Sequence, residues 1–217
     1  KGGTKVLYEK VRLTDDENVY LETYVSPKVG NNIRDALLVI PGGGYGQVCS
    51  DREGEPIAEA FLPQGFNCFV LHYTVGRKKP YPAQLIEASL AVKHIKDNAE
   101  KYNINPDRVF AVGFSAGGHL TASLGTFWHR KEVYEAIKMP FGYNKPTGVM
   151  LIYPVLNDHF GSFQNLLCKD APTKEEIEIV DIVSNIDENT VPAFIMHTSN
   201  DQTVPVHNSI DLANKLA

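Results

Sequence analysis

The chain has 217 residues, 43% hydrophobic and 22% charged, with 21 Lys and Arg against 26 Asp and Glu for a net charge of −5. That balance belongs to an ordinary globular domain with length enough for one sizeable core, and aromatic and branched residues running from end to end exclude a disordered tail. The acidic balance, with Arg77-Lys78-Lys79 as the longest basic cluster, speaks against nucleic acid, and no apolar run approaches the ~18 residues of a membrane span.

Residues 6–13 and 19–25 read as amphipathic strands joined by the turn-forming Asp15-Asp16-Glu17-Asn18, which predicts an antiparallel edge. The later strand signals are continuous apolar runs, as in a sheet buried on both faces: 36–40, closed by Pro41, then 67–73, 109–114, 149–155 and 193–197. Helical stretches separate them. The clearest follows Pro82, where Leu85, Ala88, Val92, Ile95 and Ala99 recur at spacings of three and four. Repeated strand–helix–strand units predict an α/β fold with a mostly parallel central sheet, helices on both faces and the antiparallel N-terminal edge. Residues 1–217 read as a single domain with one interruption. The stretch 157–192 between two strands is far longer than an ordinary connection, and it is expected to form a small cap over a site. Inside it, Thr173-Lys174-Glu175-Glu176 is a capping box that opens a helix through about Val183.

Cys49, Cys68 and Cys168 are odd in number and far apart, so they fit neither a disulfide framework nor a metal-ligand spacing. They read as free thiols in a reducing, cytoplasmic compartment. The chain opens at Lys1 with neither Met nor an apolar signal segment, which leaves its native N-terminus and any targeting signal open.

The chemistry concentrates in RVFAVGFSAGGHL, residues 108–120. A buried strand there ends in Gly113-Phe114-Ser115-Ala116-Gly117 and runs into a helix signal. This is the G-x-S-x-G nucleophile elbow, a strained strand-to-helix turn that holds the Ser oxygen proud of the sheet. Pro41-Gly42-Gly43-Gly44-Tyr45 follows the first buried strand, where an oxyanion-hole loop belongs in such an architecture. Acyl transfer develops negative charge on a carbonyl oxygen, and backbone N–H groups stabilise it. That role falls to the amides of Gly43, Gly44 and Ala116. The rival reading is a phosphate-cradling loop, but the segment lacks G-K-[ST] and no G-x-G-x-x-G helix entry follows it. Asp201, in the loop after residues 193–197, suits the acid that orients an imidazole. Tyr45 beside the glycine loop and His159 after a strand end are candidate substrate contacts, with simple packing an equal reading for Tyr45. No metal or cofactor is implied.

Together with IPGGGY, SDREGEPIAEAF, FVLHYTV, NINPDRVFAVGFSAGGHLTASLG, IYPV and HTSNDQTVPVHNS, these features make the chain resemble an α/β-hydrolase of the acetyl xylan esterase and carboxylesterase type. The resemblance covers nearly the whole chain. It implies an α/β-hydrolase fold and cleavage of short-acyl esters of sugars, such as acetylated xylo-oligosaccharides, through an acyl-enzyme on Ser115. The expected partner is thus a small-molecule ester, with homo-oligomerisation left open. A peptidase or lactonase of the same fold is the alternative, as is a non-catalytic ligand-binding relative lacking the base.

The sequence departs from that family in two places. Related lipases carry His before the three glycines where this chain has Pro41, which places it nearer the carbohydrate-esterase branch. The family also takes its base from a Gly-Gly-His-like loop well after the acid. Here the residues after Asp201 read as a loop and the start of a helix over 206–217. His72 sits in a buried strand pattern, His94 and His129 on helices, and His197 closes the strand before the acid. His119, four residues past Ser115 on the helix leaving the elbow, lies below the nucleophile and reads as a packed core residue, and His207 reads as a surface residue at a helix start. The catalytic His is therefore expected beyond residue 217, together with a last strand and a closing helix.

Overall fold

The computed structural model describes residues 5–157 and 161–217. In chain order the elements are β1 (Leu7–Arg12), β2 (Tyr20–Val25), β3 (Arg34–Ile40), α1 (Ser50–Glu53), α2 (Glu55–Phe61), β4 (Phe66–His72), α3 (Ala83–Asp97) and α4 (Ala99–Tyr102). Then follow β5 (Ile104–Phe114), α5 (Ala116–Phe127), α6 (Lys131–Ile137), β6 (Gly148–Ile152), α7 (Ser162–Leu167), α8 (Lys174–Val180), β7 (Ala193–Met196) and α9 (His207–Leu216). Among the described residues seven strands form one sheet in the order β1-β2-β4-β3-β5-β6-β7. β1, β2 and β4 pair antiparallel, while β4, β3, β5, β6 and β7 run parallel. This is the mostly parallel sheet with an antiparallel N-terminal edge that the apolar runs imply.

Strand alternation divides the core between the two faces. Leu38 and Ile40 pack with Leu71, Leu85, Val92 and Leu120 on one side, and Leu37 and Val39 with Val70, Val112 and Ala58 on the other. Each of the Leu, Ile and Val side chains contributes about 1.5–3 kcal/mol on burial, so the central strands are held from both faces. The chain leaves β3 toward β4 on one side and returns to place β5 on the other. The carboxyl ends of β3 and β5 therefore flank a topological switch point, where open α/β sheets hold their ligands.

Four details differ from the sequence pattern. The α3 helix stops at Asp97, with Asn98 as its C-cap and its side chain bonded to the His94 carbonyl at 2.8 Å, so Ala99 belongs to α4. Strand β5 begins at Ile104 rather than 109, because the polar Asn105-Pro106-Asp107-Arg108 hides its first half. Strand β6 ends at Ile152. Residues 193–197, read as buried on both faces, form β7 over Ala193–Met196, in which, among the described residues, Phe194 is 59% and Met196 53% exposed. The capping box is present, with the Thr173 side chain accepting from Glu176 N, although α8 ends at Val180. All three cysteines are free thiols, and burial pushes that of Cys68 up to about 12.

Candidate active site

Ser115 joins β5 to α5 with φ 53° and ψ −119°, a strained conformation for a residue with a side chain. Its neighbours lock it there. Ser115 N donates to the Ile152 carbonyl, and its own carbonyl accepts from His119 N and Val155 N, each at 3.1 Å. The flanking glycines are imposed by close passage of backbone. A Cβ on Gly113 would stand 2.2 Å from the Gly117 carbonyl oxygen, and one on Gly117 would stand 2.2 Å from that of Ile40. Both glycines of the elbow pattern thus have a packing reason.

The glycine loop after β3 presses against this turn, with Gly42 so close that a Cβ there would meet the Phe114 carbonyl oxygen at 2.6 Å. Every carbonyl from Pro41 to Tyr45 is engaged. That of Pro41 accepts from the Tyr73 hydroxyl at 2.7 Å, and that of Gly42 from Cys49 N at 3.0 Å. The Gly43 carbonyl accepts from Gly46 N and Gln47 N, that of Gly44 from Asn165 Nδ2 at 2.9 Å, and that of Tyr45 from Gly76 N at 2.8 Å. The amides behave in the opposite way. Among the described residues, Gly43, Gly44 and Ala116 have N–H groups with no acceptor. Fixed, unspent donors beside a serine are what a developing oxyanion needs.

Gly43, Gly44, Ser115 and Asp201 line one cleft of 430 Å³, together with Glu53 and Tyr153. Asp201 Oδ1 accepts from Thr203 N at 2.8 Å and Val204 N at 2.9 Å. The Val204 amide foremost, then that of Thr203, holds its carboxyl below the usual carboxylate range despite some desolvation. Asp201 Oδ2 lies 3.7 Å from His197 Nε2, beyond hydrogen-bond reach. His197 instead braces the loop: Nε2 faces the Val204 carbonyl at 2.9 Å, an oxygen that can only accept, and Nδ1 faces the Ser209 hydroxyl at 2.7 Å.

Two residues that the motifs do not disclose complete the picture. Glu53 Oε2 accepts from Gly42 N at 2.7 Å and Oε1 accepts from the Tyr153 hydroxyl at 3.2 Å. Glu53 therefore clamps the glycine loop to the end of β6 from within the cleft. Burial, followed by the Glu53 charge, pushes the Tyr153 hydroxyl up to about 12, so it stays a donor at neutral pH. The only sequence signal was an acid in the SDREGEPIAEAF stretch, shortly after the glycines.

Tyr45 packs in the core and does not line the cleft. It is 1% exposed, its ring packs edge-on against Tyr73 and His119, and its hydroxyl bonds His119 Nδ1 at 2.7 Å. His119 is fully buried, with Nε2 facing the Val180 carbonyl at 2.8 Å, and desolvation pushes it down to about 4. It is a neutral core residue, as its spacing from Ser115 implies. Among the described histidines none lines the cleft. His72 stacks on Tyr20 and His94 bonds the Tyr102 hydroxyl. His129 lies 3.7 Å from Asp187, and His207 opens α9 on the surface. His159 lies outside the described residues.

Strand order, elbow and glycine loop define an α/β-hydrolase fold. Residues 21–216 match the BD-FAE family, and the chain belongs to that family. It is 39% identical over 194 residues to endo-1,4-beta-xylanase B of Butyrivibrio fibrisolvens, covering 84% of this chain and 29% of that protein. It is 29% identical over 179 residues to the acetylxylan esterase of Xylanibacter ruminicola, covering 79% of this chain and 34% of that protein. The chain thus spans about a third of the length of these two relatives. The acetyl ester-xyloside bifunctional hydrolase from Caldicellulosiruptor lactoaceticus superposes with a TM-score of 0.85 at 28% identity, over 99% of this chain and 83% of that one. The resemblance to acetyl xylan esterases read from the motifs therefore extends to the fold.

Proposed function

We propose that this chain carries the active site of a serine carboxylic-ester hydrolase acting on short-acyl, above all acetyl, esters of sugars such as xylo-oligosaccharides. The observation that carries the reading is Ser115 in its strained turn beside the unspent amides of Gly43 and Gly44, with Asp201 in the same cleft. The names of the relatives, an acetylxylan esterase and an acetyl ester-xyloside hydrolase, support the substrate class.

Ser115 Oγ attacks the ester carbonyl carbon while an imidazole takes its proton. The carbonyl oxygen becomes an oxyanion held by the amides of Gly43, Gly44 and Ala116. Collapse breaks the bond to the sugar oxygen, which takes the proton from the imidazolium and leaves as the hydroxyl, with acyl-Ser115 remaining. Water, deprotonated by the same imidazole, then releases the acid and restores the serine. Asp201 orients the ring and stabilises its charged form. The ring is expected from beyond residue 217, consistent with the chain order serine, acid, histidine. The scheme uses no metal or cofactor.

One observation favours the rival reading of a non-catalytic ligand-binding relative: no described histidine lines the cleft. Acetate release from acetylated xylo-oligosaccharides and from p-nitrophenyl acetate by the full-length protein separates the two. Turnover well above that of a Ser115→Ala variant is expected, and equal rates would overturn the esterase reading.

A further inference from the structure

The glycine loop owes part of its rigidity to itself. The carbonyls of Gly42 and Gly43 are tied to Cys49, Gly46 and Gln47, bonds that would travel with the loop if it shifted as a body. Position relative to Ser115 depends on ties to other parts of the fold. On the sheet side these are Tyr73 to the Pro41 carbonyl and Glu53 to Gly42 N. On the far side, the Gly44 carbonyl is held by Asn165 Nδ2 at 2.9 Å, a residue 121 positions further along the chain, in the long excursion between β6 and β7.

An Asn side chain presents either a donor or an acceptor, and only the donor serves a carbonyl. Arg77 settles which one faces the loop. Its Nε donates to Asn165 Oδ1 at 3.0 Å, which leaves Nδ2 for Gly44, and its Nη1 pairs with Asp170 from the same excursion. Arg77 itself sits in a fixed turn. It has φ 59° beside Gly76 at φ 70°, and Gly76 N holds the Tyr45 carbonyl at 2.8 Å. Asn165 stands on a seated helix as well: Phe163 and Leu166 of α7 are buried in the core, and the Leu166 carbonyl accepts from Tyr81 N at 2.9 Å.

We propose that Asn165 is a positioning residue for the oxyanion loop, that Arg77 sets the orientation of its amide, and that this part of the excursion serves as a buttress for catalysis. The proposal rests on the esterase reading of the same cleft. A single such hydrogen bond contributes only modestly to stability. Its consequence for rate is larger, because small displacements of an oxyanion donor cost on the order of tenfold to a hundredfold in turnover.

The discriminating variant is Asn165→Asp. It keeps the Arg77 contact, now as an ion pair, but offers the Gly44 carbonyl an oxygen in place of a donor. Arg77→Ala is the second variant, which frees the amide to turn over. Each is measured in the full-length protein by steady-state p-nitrophenyl acetate kinetics and by amide hydrogen exchange of the 42–48 segment. The expected result is a fall in kcat of about tenfold or more for N165D, less for R77A, with KM nearly unchanged and faster exchange of the segment in both. Unchanged kcat and exchange in both variants, or a rise in KM alone, would overturn the buttress while leaving the esterase intact. Faster exchange in N165D on a protein that hydrolyses no ester would uphold the tie and sink the esterase reading instead.

Discussion

The glycine loop after β3 and the loop that carries Asp201 face one cleft, yet the fold holds them by different means. The first follows β3 in the middle of the sheet and is tied by Glu53, Tyr73, Gly76 and Asn165, residues drawn from both sides of it. The second follows β7, and the bonds to its Asp201 come from its own turn, through Thr203 N and Val204 N. Its ties to the rest of the fold run through His197 to Ser209 and through Asn208 to Leu156 N and Asn157 N. The contrast follows from the chemistry assigned to each. Backbone donors must meet a developing charge at a fixed point, whereas a carboxylate that steers an imidazole needs a defined oxygen and a partner beside it. The switch point between β3 and β5 supplies the fixed part and the turn after β7 supplies the other.

The sharpest way to break this comparison is at the shared centre. In the full-length protein Ser115→Ala is expected to lower ester turnover by about 10⁴–10⁶-fold, the range for removing a nucleophile of this kind. Turnover of p-nitrophenyl acetate close to the parent rate would mean that the two loops do not converge on Ser115. On the acid side, Asp201→Asn keeps an oxygen for Thr203 N and Val204 N but removes the charge. Its kcat is expected to fall by about 10²–10⁴-fold without loss of the fold, which thermal melting checks. On the oxyanion side, Glu53→Ala frees Gly42 N and the Tyr153 hydroxyl together. A drop of about 10²-fold in kcat with a smaller change in KM is expected, and Glu53→Gln, which retains one acceptor, should lose less. A KM effect alone would make Glu53 a substrate contact.

The smallest effect concerns stability and falls on the buried side only. His119 titrates near 4 in the folded protein against 6.5 when exposed, so between those values the unfolded chain binds more protons. Its contribution is full above about pH 6.5 and declines by up to about 3 kcal/mol as pH falls through the window toward 4. Urea denaturation of the parent and of His119→Gln across that window measures the difference in slope. Parallel curves would show that His119 is not held neutral by burial.

Much of this was legible in the sequence because burial and close backbone passage leave local marks. Continuous apolar runs marked the central strands, and Gly113 and Gly117 marked a turn where no side chain fits. What remained hidden was long-range polar pairing. Glu53 with Gly42 N, Tyr153 with Glu53 and Asn165 with the Gly44 carbonyl span 11, 100 and 121 positions, and no periodicity announces such contacts. Tyr45 was ambiguous for a related reason: an aromatic beside a site suits core and pocket alike, and its φ of 56° turns the chain at that point. Likewise, Ala193–Met196 has the composition of a doubly buried strand, and composition alone does not disclose that Phe194 and Met196 stand exposed among the described residues.

The central claim is that Ser115 is a nucleophile set against fixed oxyanion donors. Peptide mapping of the full-length protein after exposure to a fluorophosphonate tests it most directly, since such a probe forms a stable adduct only with an activated serine. One adduct, on Ser115, absent from Ser115→Ala and slower to form in Glu53→Ala, is the predicted result. No adduct, or one on another residue that survives in Ser115→Ala, would contradict it.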